Sequence, residues 1–137
     1  MFIGSDVLEV TYNNPVVGNG SLFCKGGEAS NIDLGGLRST DDAKMITGNG
    51  IRINQQTQQA SVFELPPVAW DKTDKDELSK LILLAGSQSG TTWTVSFVDG
   101  SIYQMQNGYP VGDLVGDGYA GTIAVKLQGN AGAKKIS

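Results

Sequence analysis

Residues 91–105, TTWTVSFVDGSIYQM, constrain this chain more than any other stretch. Two alternating runs flank Asp99-Gly100, a dipeptide that strongly favours a tight hairpin. Two registers compete. A two-residue turn sets Phe97 opposite Ile102 and mixes polar with apolar residues on both faces. A three-residue loop, with Gly100 as a left-handed bulge residue, gathers Trp93, Val95 and Phe97 on one face with Tyr103 and Met105. Thr94 and Ser96 then share the other face with Ile102 and Gln104. The second register separates core from solvent, and a buried face specifies register strongly. The expected hairpin has Gly100 at positive φ and buries Trp93, Val95 and Phe97. Its other face is hydrophilic and uncharged, apart from Ile102.

The rest of the chain is consistent with a single domain spanning residues 1–137, a length that buries roughly two-thirds of the unfolded surface. Only 18% of residues are charged and 19 are glycine, so the surface is rich in small polar residues and tight turns. That composition suits short strands better than a helical bundle. Alternation places strands at Val7 to Tyr12, Ser21 to Lys25, within 51–65, and at Thr122 to Gln128. Asn107-Gly108, Tyr109-Pro110 and Gly112 to Gly118 read as turns. Thr73 to Ala85 is the one convincing helix. Thr73 is its expected cap, Asp76 its third helical residue, and Leu78, Leu81, Ile82 and Ala85 its apolar face. Asp76 and Lys80 are spaced to pair across one turn. Between Gly26 and Gly50 periodicity is lost, although apolar residues persist, which suggests a long loop seeking a partner surface.

Several function classes are disfavoured. The net charge of −4 and the lack of a basic stripe argue against tight binding of nucleic acid phosphates. There is no histidine, hence no imidazole base and no Cys/His metal pattern. The single cysteine, Cys24, excludes an intrachain disulfide and reads as an inert thiol. Asp113 and Asp117 fit turn chemistry better than calcium binding, and Asp41-Asp42 lies near no expected substrate site. MFIGSDVLEV lacks the features of a signal peptide, and no apolar run is long enough for a transmembrane helix. No catalytic, metal or cofactor site is expected, and an enzyme is the last reading.

Several stretches in order are similar to the tail tube proteins of contractile-tailed bacteriophages. They are NIDLGGLRSTDD with the following MITGNG, VAWD at Val68 to Asp71, the helix, WTVSFVDGSIY, and YPVGDLVGDGYAGTIAVKLQG. The similarity covers most of residues 20–136, without support from QQTQQ. The resemblance implies a mainly β protomer: two packed antiparallel sheets, as a sandwich or partly open barrel, with one flanking α-helix. It implies hexameric rings joined through a continuous inner β-barrel and stacked into a tube inside a contractile sheath. Baseplate and tail-terminator proteins are the further implied partners. DNA would transit the lumen without specific binding, and the protein would assemble in the host bacterial cytoplasm and reside in the virion tail. The type VI secretion tube shares the architecture and is the alternative function.

The resemblance also gives the loop at about 26–50 a role, as an arm between neighbouring subunits and rings. Ile32, Leu34, Leu37 and Ile46 are the residues expected to bury against a neighbour. Arg38, amid Asp33, Asp41 and Asp42, is expected to supply ion pairs that set register. Alternation and polarity nominate Gln56, Gln58, Thr94, Ser96 and Gln104 as lumen-facing. A competing reading from another class is a monomeric β-sandwich that binds carbohydrate on Trp70, Trp93 and Tyr109. It requires Trp93 to be exposed, against the alternation with Val95 and Phe97.

Overall fold

The computed structural model describes residues 4–39, 47–51 and 56–137. Along the chain the described strands are β1 (Val7–Asn14), β2 (Gly18–Leu22), β3 (Asn31–Asp33), β4 (Gly36–Ser39), β5 (Gln56–Gln59), β6 (Ser61–Glu64) and β7 (Val68–Ala69). Helix α1 (Glu77–Ala85) follows. After it come β8 (Thr91–Phe97), β9 (Ile102–Val111), β10 (Gly116–Asp117), β11 (Thr122–Ile123), β12 (Lys126–Gly129) and β13 (Lys134–Lys135). The protein is therefore mainly β, with antiparallel sheets and one described helix.

The hairpin of β8 and β9 has the register that best separates its faces. Trp93 opposes Met105, Thr94 opposes Gln104, and Val95 opposes Tyr103. The Phe97 N–H donates to the Ser101 carbonyl at 2.9 Å, and the Gly100 N–H donates to the Phe97 carbonyl at 3.0 Å. Gly100 sits at φ 95°, where a side chain is strained. Replacing Gly100 with Val is expected to cost about 1–2 kcal/mol, read as a lower denaturant midpoint; an unchanged midpoint would contradict the turn. Trp93 and Val95 are fully buried. Phe97 is only half-buried, because it lies at the hairpin end and meets Tyr103 edge-on at 5.9 Å.

Strand β9 corrects the reading of Asn107-Gly108 and Tyr109-Pro110 as turns. It continues through all four residues, and the register slips between Thr91 and Trp93 of β8. The slip absorbs Asn107, at φ 52°, as a bulge. By running on, β9 joins two groups of strands. On its hairpin side lie β8, β1 and β2; on the far side lie β12, β6 and β3, with β13 paired to its first residues. The result is one sheet of eight strands, seven in a single hydrogen-bonded path and β13 branching from β9, rather than two separate large sheets. A small sheet of β10, β11 and β7 and the pair β4–β5 stand apart from it. The expected strand at Thr122 to Gln128 is split into β11 and β12, which belong to different sheets.

One core unites these parts. Val10, Tyr12, Leu22, Trp93, Val95 and Met105 meet Phe63, Leu65, Leu127, Val68, Ile123 and Val125. Helix α1 lies against β9 and adds Leu81 and Leu84. The helix is shorter than expected. Asp76 precedes it in a left-handed conformation, and its carboxylate accepts from Ser79 Oγ at 2.6 Å and Trp70 Nε1 at 3.1 Å. Thr73 is thus outside the helix, and Asp76 spends its side chain on Trp70 and Ser79 instead of Lys80. The buried stripe is Glu77, Leu81 and Leu84, so Ile82 is turned out and 54% exposed. Asn14 ties the β1–β2 turn to the chain before β8. Its amide donates to Thr91 Oγ1 at 2.9 Å and the Ser89 carbonyl at 3.1 Å, while Oδ1 accepts from the Val16 and Val17 N–H groups.

Candidate functional site

Strand registers align side chains in rows across β2, β1, β8, β9 and β13. Directly opposed residues share a face. Ser21, Thr11, Thr94, Gln104 and Lys134 form one row on the outer face. Asn19, Asn13 and Thr92 form another, and Glu9, Ser96 and Ile102 a third. The matching row on the inner face is Leu22, Val10, Val95, Tyr103 and Lys135. Apart from Ile102, Glu9 and Lys134, the residues of these rows carry hydroxyls and amides. On this outer face one acid, Glu9, and one base, Lys134, cancel, and Glu9 also accepts from Ser21 Oγ at 3.1 Å. A shallow hollow of about 500 Å³ lies over it, bounded by Thr11, Asn13, Asn19, Ser21, Thr92, Thr94 and Gln104.

Of the residues nominated for a lumen, Thr94, Ser96 and Gln104 come together on this face. Gln56 and Gln58 do not. They lie on β5, opposite Ser39 and Leu37 of β4, in the separate two-stranded pair. Alternation alone revealed that they belonged to a polar strand, and it carried no information about which strand they pair with. Glu9, Thr11, Asn13, Asn19, Ser21, Thr92 and Lys134 were missed for the same reason. The alternation of Val7 to Tyr12 was the available signal for the β1 members.

Among the described residues, the expected long loop supplies β3 and β4, one side of a bent two-stranded arm whose other side is β6 and β5. Its inner half is β3 on β6 and its outer half is β4 on β5. Both strands turn at one level. Gly35 is at φ 70°, and a Cβ there would stand 2.5 Å from the Gln59 carbonyl oxygen, so only glycine allows this approach. The Asp33 carboxylate accepts from the Gly35 N–H at 3.0 Å and pairs with Arg38 across the corner. These bonds, the Gly35 N–H first, hold the Asp33 carboxyl below its ordinary pKa. Ile32 and Leu34 are not held in reserve for a neighbour, because both pack against the chain's own core. Arg38 is likewise engaged within the chain. Leu37 is 61% exposed, and all of β4 and β5 beyond Gly36 is exposed. Asp41, Asp42 and Ile46 lie outside the described residues.

The remaining chemical candidates are structural. Burial pushes the Cys24 thiol up to about 11, so it stays protonated near neutral pH. Asp117 Oδ1 accepts from the Tyr119 and Ala120 N–H groups, a turn role. Trp93 is inside the core and donates its indole N–H to the Gly108 carbonyl at 3.1 Å, which removes it from any sugar platform. Among the described residues no helix is long and apolar enough to cross a membrane. No protein-family model matches the chain, and no curated protein matches it.

Proposed function

We propose that the chain is a structural protomer of a hollow tube of the contractile phage tail type, built from stacked hexameric rings that conduct DNA. The observation that carries this reading is the two-faced sheet of β2, β1, β8, β9 and β13. One face buries Trp93, Val95 and Met105; the other is a broad, nearly charge-neutral field of Ser, Thr, Asn and Gln. A face of that kind suits the wall of a wide barrel, where inward residues meet water. It hydrates well and offers phosphates no belt of ammonium or guanidinium groups to hold them.

Two further features favour assembly over a free monomer. Strand β2 is a sheet edge of five residues, GNGSL, without proline, lysine or inward charge. Such an edge invites another strand. The β4–β5 pair exposes both faces, an arrangement that gains stability from covering. Heterologous contacts between copies close into rings and continue as stacks. In this reading the β4–β5 pair is the arm that reaches a neighbour, with Leu37 as its apolar contact. Light scattering across concentration and salt tests the proposal. Growth to rings or tubes is expected, each subunit contact burying over about 1,000 Å². A monodisperse monomer under every condition, with tail-initiation partners included, would count against it.

A further inference from the structure

The two ends of the polar sheet carry complementary chemistry. At one end, on the inner side of β2, a cavity of about 470 Å³ separates that strand from the first turn of α1. Two buried polar groups open onto it. Tyr12 is 6% exposed, and its hydroxyl, at the tip of the side chain, reaches the water of the cavity. Glu77 is 8% exposed; its Oε2 accepts from the Asp71 N–H at 2.7 Å, and its Oε1 is open to the cavity's water. A carboxylate accepts at both oxygens and a phenol also accepts, so the pair is an acceptor site for an ammonium. Gly20 keeps it open, since a Cβ there would stand 2.3 Å from the Tyr12 hydroxyl oxygen. Lys75 and Lys80 also line the cavity, but neither is ion-paired with Glu77. Lys75 Nζ lies over the Phe23 ring, 5.9 Å from its centre, and Lys80 is exposed at the rim.

At the other end, β13 presents Lys134 and Lys135, both exposed. The Ser101 hydrogen bonds lower the pKa of the exposed Asp99 carboxylate most, and Lys135 is close enough to help lower it. Lys135 opposes Tyr103 and so lies on the inner side. Its row passes through Val95 and Val10 to Leu22, which lines the cavity. Lys134 belongs to the polar row that ends at Ser21. Counting antiparallel pairings from β2 to β13 shows that both strands run in one direction, so joining these edges between copies makes a parallel pair.

We propose that Lys135 of one copy seats its ammonium between Glu77 and Tyr12 of the next copy when β13 meets β2. This lock rests on the ring reading above and specifies which edges join and which charge fixes their register. An unsheared join brings Lys135 level with Leu22. The incoming ammonium replaces water at Glu77 Oε1 and the Tyr12 hydroxyl with a charged donor, and charge pairing of this kind selects partner and register.

Sedimentation velocity on the full chain tests the lock through the concentration at half-assembly. Lys135→Glu is expected to raise it about tenfold or more, and Lys134→Glu far less, because that side chain faces the polar side. Tyr12→Phe, which keeps the ring in the core, should raise it as well. Lys135→Gln, which removes the charge without setting a second carboxylate beside Asp99, should also raise it, and the melting of that monomer should match the wild type because the residue is exposed. Wild-type rings with Lys135→Glu assembling at the wild-type concentration, or Lys134→Glu costing as much, would overturn the lock and leave the ring reading standing. A wild-type chain that never assembles would overturn both.

Discussion

Removing residues 36–59 and joining Gly35 to Ala60 will leave a folded protomer that no longer grows tubes. The joint is short because Gly35 already packs against the backbone of Gln59 to Ser61. Among the described residues, strands β4 and β5 pair only with each other, and neither contributes to the core. A two-stranded ribbon alone is marginal in water, and ordering it costs roughly 1–2 kcal/mol of backbone entropy per residue. Burying Leu37 against a neighbour would return about 1.5–3 kcal/mol. In the proposed tube, a neighbour's cover would add to what the ribbon's own pairing supplies. Circular dichroism should report a wild-type melt for the deletion, and light scattering should report no growth. Hydrogen exchange in the intact protein should be fast at Leu37 to Ser39 before assembly and slow after it. Normal tubes from the deletion, or equal protection in both states, would contradict the role given to the arm.

Trp93→Ala is expected to have the largest effect on the isolated protomer, a loss of about 3–5 kcal/mol. Trp93 is fully buried at the centre of the polar sheet's inner face. Its ring meets Tyr12 at 5.7 Å, and its N–H donates to the Gly108 carbonyl. Truncation opens a cavity and leaves that carbonyl without its donor. Small domains have about 5–15 kcal/mol in total, so this one change removes a large share. Urea denaturation monitored by circular dichroism measures it. A loss below about 1 kcal/mol would mean that the site collapses around alanine and that the hairpin is not the centre of the core.

Local chemistry made the β8–β9 hairpin legible. Asp99-Gly100 fixes the loop, and alternation on both sides leaves one register that buries Trp93 and Val95. The helix was legible as an element because Leu78, Leu81, Ile82 and Ala85 recur at helical spacing, but its start and its true buried stripe, Glu77, Leu81 and Leu84, were not. Thr73, Asp74 and Asp76 have the composition of a first turn, yet Asp76 is drawn into hydrogen bonds with Trp70 and Ser79. That tertiary contact outweighs a local preference of a few tenths of a kcal/mol. Asn107-Gly108 misled for a related reason. Positive φ is needed at Asn107, as in a turn, but the flanking strand pairings continue and convert it to a bulge.

Less of the candidate site was visible. Thr94, Ser96 and Gln104 share a face because one hairpin holds all three. Gln56 and Gln58 have the same polarity, but their partners, Ser39 and Leu37, are distant in sequence, and side-chain pattern does not encode a distant pairing. Ile32 and Leu34 look like loose apolar residues until β3 pairs with β6 and carries them to the core. The acceptor pair of Tyr12 and Glu77 joins a strand to a helix more than sixty residues later, and no spacing rule links them.

Electron cryomicroscopy of the purified, assembled protein reads both the assembly and the direction of the sheet. Hollow six-fold rings, stacked into tubes, are expected, with Thr94, Ser96 and Gln104 lining the channel and Trp93 behind them. Rings with α1 facing the channel and the Thr94 face turned outward, or a field of lone monomers at every concentration, would contradict the proposed function.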